Sequence, residues 1–123
     1  MSKNKSMGEF ELEAFCPVYH RSVELIGRRW TGAILRALMA GVCRFSDLAS
    51  TVPGMSDRML SERLKELEAE GVVIRRVIPE TPVRIEYELT DKGRALQDVI
   101  EALSSWAGRW GVHEGEEAHA HVP

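Results

Sequence analysis

The apolar residues of this chain change their spacing several times, and each change predicts a different element. From Val18 to about Ala40 the spacing is helical, and Gly27 is expected to divide this stretch into two helices because glycine opposes helix continuity. The second helix, over about residues 29–40, is apolar on nearly every side, which is typical of a central buried helix. Gly41 then predicts a left-handed residue at its C-terminal end.

A short helix, a turn and a longer helix are predicted next. The short helix carries its apolar residues at the spacing i, i+3, i+4 and i+7. These residues are Phe45, Leu48, Ala49 and Val52. Residues 53–55 (Pro-Gly-Met) signal the turn, and Ser56 suits the N-cap of the longer helix. The apolar side of that helix follows as Leu60, Leu64 and Leu67, at i, i+4 and i+7.

Beyond Gly71 the apolar spacing falls to two, which predicts a β-hairpin. Residues 83–89 alternate apolar and charged side chains, and residues 72–78 are rich in β-branched side chains. Residues 79–82 (Pro-Glu-Thr-Pro) form the expected tip. Thr90 is expected to cap one last helix, which has a wide apolar stripe. The stripe includes Leu96, Ile100, Leu103, Trp106 and Trp110.

This order of elements predicts a mainly α-helical fold with a small β-hairpin, a winged helix-turn-helix. An α-helix fits the major groove of DNA, and a hairpin can lie over the neighbouring backbone or minor groove. Four parts are expected along the chain. They are an N-terminal arm and candidate dimerisation element (1–15), a DNA-binding domain (16–94), a C-terminal dimerisation helix (95–110) and a disordered tail (111–123).

The charge of the chain argues at first against nucleic-acid binding. The 123 residues include 16 Lys and Arg but 19 Asp and Glu, for a net charge of −3. Residues 1–15 carry −1 and residues 95–123 carry −4, which leaves +2 on residues 16–94. Such segregation can leave a basic face on an acidic protein, although a simple acidic tail gives the same count. The low net charge also predicts weak binding to non-specific DNA.

Composition and motifs argue against several other classes of function. No window has the roughly 18 consecutive apolar residues of a membrane span, and the first residues lack the apolar run of a secretory signal. Two cysteines form no disulfide framework, so a soluble, cytoplasmic domain is expected. The chain has no phosphate-binding loop, nucleophile elbow or HExxH motif, so neither an enzyme nor a cofactor is predicted. His119 and His121 lack the neighbouring ligands of a structural metal site.

The longer helix of the pair supplies the candidate base-reading residues. On a helical wheel four of them, Arg58, Ser61, Glu62 and Lys65, lie opposite its leucines, and Ser56 stands at the N-terminus of the helix. These candidates are Ser56, Arg58, Ser61, Glu62 and Lys65. Arg58 can fork onto guanine, and Ser61 or Glu62 can hydrogen-bond a base, whereas Ser56 and Lys65 suit phosphate. The alternative is an ordinary solvated face on which Glu62 pairs with both Arg58 and Lys65.

The predicted wing carries three arginines. Arg84 lies on the polar side of its strand, two residues after the tip, where it suits a phosphate or a narrow minor groove. Arg76 is a second candidate DNA contact, and Arg75 is a weaker one. The alternative for Arg84 is an ion pair with Glu86 or a neighbouring acid.

Several motifs of the chain resemble those of HxlR-type winged-helix transcriptional regulators. In chain order they are Cys16-Pro17-Val18, Leu25-Ile26-Gly27-Arg28-Arg29-Trp30, Arg44-Phe45-Ser46-Asp47-Leu48, Pro53-Gly54-Met55-Ser56, Leu64-Lys65-Glu66-Leu67-Glu68, Gly71-Val72-Val73 and Pro82-Val83-Arg84-Ile85-Glu86-Tyr87-Glu88-Leu89-Thr90. The match covers about residues 16–110. The resemblance implies a bacterial-type dimeric DNA-binding regulator, allied in fold to the MarR group. One departure is Gly27-Arg28-Arg29-Trp30, where the family more usually has Gly-Gly-Lys-Trp.

The last helix also predicts a partner surface. Its stripe, with two tryptophans, is more than a small winged helix can cover, and exposed apolar patches mark interaction sites. A palindromic operator likewise calls for a two-fold protein. A homodimer through Leu96, Ile100, Leu103, Trp106 and Trp110 is therefore expected, with residues 10–15 as a second element. The alternative is that both elements pack within one chain.

Cys16 is the candidate sensing residue. His20 and Arg21 follow it closely, and neighbouring cations make a thiol more reactive. In several members of the resembled family, the cysteine at this position senses oxidants or electrophiles. The alternative is a small, partly buried apolar residue. Cys43 has a weaker claim to reactivity.

Two functions from different classes follow from these patterns. The leading one is a homodimeric regulator that binds double-stranded DNA at a palindromic operator, acts mainly by repression and responds to a small oxidant or electrophile. The other is a winged-helix protein–protein interaction module that does not bind DNA directly.

Overall fold

Six helices and two strands lie within residues 13–111, which the computed structural model describes. They are α1 (Pro17–Ile26), α2 (Thr31–Met39), α3 (Phe45–Thr51), α4 (Asp57–Ala69), β1 (Val73–Ile78), β2 (Arg84–Leu89), α5 (Asp91–Arg94) and α6 (Gln97–Trp110). The predicted winged helix-turn-helix is confirmed, with α3 and α4 as the helix pair and β1–β2 as the wing. The predicted arm up to residue 12 and the predicted tail from residue 112 lie outside the described residues.

The core forms where α2 meets its neighbours. This helix packs against α1, α3, α6 and β2, as expected of a helix that is apolar on most sides. Fully buried side chains come from α2, α3, α4 and the start of β1. They include Ile34, Leu35, Leu48, Leu60, Leu64, Leu67 and Val73. The leucines of α4 therefore face inward, as their spacing predicts, and the opposite side of α4 is left to solvent.

The helix boundaries follow local backbone chemistry. Gly41 and Gly71 have φ values of 98° and 77°, in the left-handed region that favours glycine. The Ser56 hydroxyl accepts a hydrogen bond from the Met59 N–H at 3.1 Å, which caps α4 as predicted. Gly27 separates α1 from α2, also as predicted.

One helix boundary differs from the prediction. Thr90 caps only α5, which is a single turn, and a separate helix begins at Gln97. Thr90 Oγ1 donates to the Gly71 carbonyl at 2.6 Å, and a side chain at Gly93 would clash with the Val72 carbonyl oxygen. Because α5 is fixed against the start of the wing in this way, the chain turns before α6.

The two halves of the wing differ in burial. The antiparallel register runs from the pair Val73–Leu89 at the base to Ile78–Arg84 near the tip. Both residues of the base pair are buried, whereas Val77 in the outer half is 51% exposed. The outer half of the wing therefore projects from the body of the protein.

A third segment extends the sheet of the wing, and the apolar spacing did not predict it. The Tyr87 N–H donates a hydrogen bond to the Cys43 carbonyl at 2.8 Å, and the backbones of Arg44 and Glu86 form an isolated antiparallel β-bridge. Since α3 begins at the next residue, this pairing connects the wing directly to the helix pair.

Candidate nucleic-acid interface

The turn between α3 and α4 fixes the start of α4. Val52 and Met55 are buried in the core, while Gly54 between them has a φ of 85°. A side chain at Gly54 would meet the Trp30 indole at 3.5 Å. The turn is therefore anchored to the core at two points, and the N-terminal residues of α4 are held in place.

The outward side of α4 carries the predicted base-reading residues. Ser56, Arg58 and Lys65 are exposed, while Ser61 and Glu62 are half-buried. Arg58 Nε lies 3.2 Å from Glu62 Oε2, and the Arg58 side chain is 86% exposed. This ion pair is one of the two that the solvated-face alternative predicted. Among the described residues, Lys65 contacts no carboxylate.

Arg63, which the sequence analysis did not single out, holds the inner side of α4. Its side chain is only 8% exposed, and its Nε donates to the Arg29 carbonyl at 3.0 Å. Its Nη1 donates to Glu66 at 2.8 Å, and Glu66 also pairs with Arg28 at 3.2 Å. These contacts join α4 to the segment between α1 and α2. The sequence did contain the signal, because Arg63 falls on the leucine side of the helical wheel.

Two of the wing arginines lie beside carboxylates. Arg76 Nε lies 2.8 Å from Glu88 Oε1 across the strands. Arg84 lies 3.1 Å from Glu80 and 2.8 Å from Glu86, the second contact being an ion pair without hydrogen-bond alignment. The alternative predicted for Arg84, a pair with Glu86, is therefore present, and Glu80 is a further partner.

Arg75 differs from the other two wing arginines. The register places it opposite Tyr87, on the other face of the hairpin from Arg76. It is exposed and contacts no carboxylate within the part of the chain that the structure describes. From sequence, Arg75 is the weakest candidate of the three. Its guanidinium group nevertheless takes part in no ion pair among the described residues.

Two exposed apolar faces flank the helix-turn-helix. On α6, Leu103, Trp106 and Trp110 are 57%, 59% and 68% exposed. α1 has no buried residue, and its Val18 and Tyr19 are 75% and 70% exposed. A single chain therefore leaves large apolar side chains uncovered on both helices.

Two residues of the predicted dimerisation stripe belong to this chain's own core. Ile100 is 7% exposed and lies in the core cluster, and Leu96 packs against that cluster. Both lie at the beginning of α6, which packs against α2. The stripe predicted as a partner surface is therefore corrected to Leu103, Trp106 and Trp110.

Cys16 is the N-cap residue of α1. Its half-buried sulfur accepts a hydrogen bond from the Tyr19 N–H at 3.5 Å, and both Cys16 and Cys43 are free thiols. Arg21, a predicted neighbouring cation, pairs with Glu70 at 3.5 Å. The Cys16 thiol thus lies at the beginning of the exposed apolar face of α1.

Among the helices between residues 13 and 111, none has the length and apolar character needed to cross a membrane. The same stretch has no cluster of three or more histidine, cysteine or acidic residues that could hold a metal ion. The histidines of the C-terminal segment lie outside it.

Comparison with known proteins connects this geometry to a family. Residues 25–115 match the family model described as HxlR-like helix-turn-helix. The chain belongs to the HxlR-like family. YvaP, an HTH-type transcriptional regulator of Bacillus subtilis (strain 168), is 53% identical over 95 residues, which are 77% of this chain and 88% of YvaP. This HxlR-like protein is a transcriptional regulator and not an enzyme.

Two solved structures share the fold of the HxlR-like chain. The reduced form of the regulator YodB from B. subtilis is 46% identical with a TM-score of 0.69, covering 78% of this chain and 94% of that one. The redox regulator HypR in its reduced form is 33% identical with a TM-score of 0.71, covering 76% and 92%. The winged fold and the family resemblance predicted from the motifs are both confirmed.

Proposed function

We propose that this HxlR-like regulator binds double-stranded DNA as a homodimer at a palindromic operator and acts mainly by repression. The observation that carries this proposal is that α4 has a buried side and an exposed side. Its three leucines are fully buried, while Arg58 and Lys65 are exposed. A helix presented in this way, with a wing beside it, suits readout of the major groove.

Each outward residue of α4 has its own role in this complex. Arg58 leaves Glu62 and forks onto guanine O6 and N7, and Glu62 accepts from a cytosine amino group. Ser61 hydrogen-bonds a base edge, while Ser56 and Lys65 hold phosphates. Opening an exposed ion pair costs at most about 1 kcal/mol, and a bidentate base contact contributes about 1–3 kcal/mol. The replacement of the Arg58–Glu62 ion pair by a contact between Arg58 and guanine is therefore favourable.

The wing adds contacts to the DNA backbone. Arg75 reaches phosphate directly, whereas Arg76 and Arg84 exchange their carboxylate partners for phosphate or a narrow minor groove. The cost of this exchange is lowest where the groove is narrow, since its negative potential is strongest there.

Arg58→Ala and Lys65→Ala are expected to weaken DNA binding in different ways. Arg58→Ala removes a base contact, so it should cost about 1–3 kcal/mol of preference for the operator over random duplex. Lys65→Ala removes a phosphate contact, so it should weaken binding to every duplex and reduce the salt slope by about one. Anisotropy titrations over a salt series measure both effects, with an operator selected from a random DNA pool.

Arg36→Ala is the matched control for the loss of one positive charge, since Arg36 is exposed on α2 beside α6. If both Arg58→Ala and Lys65→Ala bind DNA with the affinity of the native chain, the assignment of α4 as recognition helix is contradicted. If the native chain gives no salt-dependent gel shift at low salt with the DNA upstream of its own gene, the protein-interaction alternative replaces this function.

A second copy of the chain is the proposed partner of the apolar faces of α1 and α6. Exposed apolar surface of this extent marks an interaction site, and Trp106 and Trp110 are residue types enriched in such sites. A two-fold dimer places its two α4 helices at half-sites about one helical turn of DNA apart.

Cys16 is the proposed sensing residue at this interface. YodB has been solved after diamide treatment and in a quinone-bound form, and HypR is called a redox regulator in both its reduced and oxidised forms. With a quinone, the Cys16 sulfur adds to a ring carbon and forms an S–C bond. The thiol proton and the displaced ring proton move to the two quinone oxygens, which leaves a hydroquinone thioether. The added group alters the start of α1 and thereby the spacing of the two α4 helices.

A quinone is expected to change the operator affinity of the native chain by about 5- to 150-fold, the usual range of coupling between two sites. Cys16→Ser should bind the operator equally with and without quinone, while Cys43→Ser, the matched control, should keep the response. Gel shifts measure the affinity, and intact-mass spectrometry identifies the adduct. A Cys16→Ser chain that still responds would remove Cys16 from the mechanism.

A further inference from the structure

Carboxylates accompany most of the arginines proposed to contact DNA. The pairs are Arg58–Glu62 at 3.2 Å, Arg76–Glu88 at 2.8 Å, Arg84–Glu80 at 3.1 Å and Arg84–Glu86 at 2.8 Å. The register places residues 76 and 86 directly opposite each other, so the wing pairs of the strands share one face of the hairpin. The surface proposed to meet DNA is therefore nearly neutral, although it is rich in arginine.

We propose that Glu80 and Glu88 act as built-in competitors of DNA phosphate, which lower the affinity of the wing for DNA of any sequence and so restrict stable binding to sites that add base contacts. This inference rests on the proposed DNA binding. The two carboxylates occupy the guanidinium groups of Arg84 and Arg76 in the free protein, in the way that a phosphate would in a complex.

The accessibility of these two pairs distinguishes them from ion pairs that hold the fold together. The side chains of Glu80 and Glu88 are 48% and 52% exposed, and within residues 13–111 each contacts a single arginine. Ion pairs this exposed contribute little to stability. Glu66, by contrast, is 31% exposed and contacts two arginines that join α4 to the segment before α2.

Competition of this kind lowers the affinity for every duplex, because phosphates are present whatever the DNA sequence. Non-specific binding depends almost entirely on the counterions released when cationic side chains contact phosphates. An arginine that is already paired with a carboxylate contributes less to this binding. At the operator, base contacts and a closely fitting wing offset the loss of the ion pairs. On random DNA no such contacts form, so the lost ion pairs and the repulsion between carboxylate and phosphate are not compensated.

The test uses the full chain with Glu88→Gln, Glu80→Gln and the double variant. Glutamine keeps the size of the side chain and removes the charge that holds the arginine. Glu88→Gln is expected to bind random duplex about 3- to 10-fold more tightly at about 0.1 M salt, with a steeper salt slope. Glu80→Gln should gain less, because Arg84 keeps its contact with Glu86. Operator affinity should rise by a similar factor, since the wing contacts phosphate in both complexes, and both increases should be largest in the double variant.

Glu24→Gln is the matched control, because Glu24 is exposed on α1 and its loss changes the net charge by the same amount. If Glu24→Gln raises random-duplex binding as much as Glu88→Gln does, the effect is only one of net charge and the inference is overturned. Unchanged binding to random duplex in all three wing variants overturns it as well, while operator binding by the native chain leaves the proposed function intact. A native chain that binds neither duplex overturns the proposed function, and this inference with it.

Discussion

Trp106→Glu is expected to convert the proposed homodimer into a monomer and to weaken operator binding by about 10²-fold or more. Trp106 is 59% exposed in the single chain, so the substitution leaves the core of each chain intact. In an apolar interface, however, the new carboxylate would be buried without a partner, which is strongly unfavourable. A monomer also loses the gain in effective concentration that comes from binding two linked half-sites. Sedimentation velocity measures the mass, and anisotropy measures the affinity.

Ser105→Glu is the matched control on the same helix. Residue 105 lies on the opposite side of α6 from the apolar stripe, and it is exposed. This variant should keep the native mass and nearly the native operator affinity. A Trp106→Glu chain that still has the mass of a dimer would show that the apolar face of α6 is not the dimer surface. A native chain that is monomeric at micromolar concentration would exclude the homodimer altogether.

The helix-turn-helix was predictable because local chemistry encodes each of its boundaries. Ser56 caps α4 through a hydrogen bond three residues away, and Gly71 ends the segment with a positive φ. The spacing of the leucines alone determines which side of α4 is buried, since consecutive residues on a helix are separated by about 100°. The outward residues Arg58 and Lys65 follow from the same geometry.

Contacts between distant segments were not predictable in the same way. The pairing of Cys43 with Tyr87 joins residues far apart in sequence, and neither residue has a spacing that indicates it. The stripe of α6 shows the same limit. Ile100 and Leu103 share one side of the helix, but only the first is buried, because the core ends partway along α6. Periodicity predicts which side of a helix a side chain is on, but it does not predict whether other parts of the protein pack against that side chain.

The candidate site was predicted as a set of residues, but its charge balance was not. Arg84 contacts both Glu80 and Glu86, and its contact with Glu80 depends on the conformation of the hairpin tip, which the sequence leaves open. The net charge of −3 hides a central segment of +2. Ion pairs in turn place carboxylates of this segment beside the arginines of the proposed DNA-binding surface. A small regulator can therefore be rich in arginine at its DNA-binding surface and still have little attraction for DNA of random sequence.

Arg63→Met is expected to lower the free energy of unfolding by about 2–4 kcal/mol. The substitution leaves the Arg29 carbonyl without its donor at 3.0 Å and removes one of the two arginines that neutralise Glu66. Removal of one member of a buried ion pair costs about 3–5 kcal/mol when the other charge is left uncompensated. The cost here is placed lower because Glu66 is 31% exposed and keeps its contact with Arg28. Urea denaturation at a fixed protein concentration measures the change.

Arg58→Met is the matched control for this prediction, because it makes the same substitution on the exposed side of the same helix. The Arg58 side chain is 86% exposed, so its loss should change stability very little. Arg63→Lys should fall between Arg63→Met and the native chain, since lysine keeps the charge but lacks the planar fork that reaches two acceptors at once. Equal stabilities for Arg63→Met and Arg58→Met would contradict a role for Arg63 in holding α4. The expected ranking instead makes this buried arginine the link between the stability of the fold and the placement of the residues proposed to read DNA.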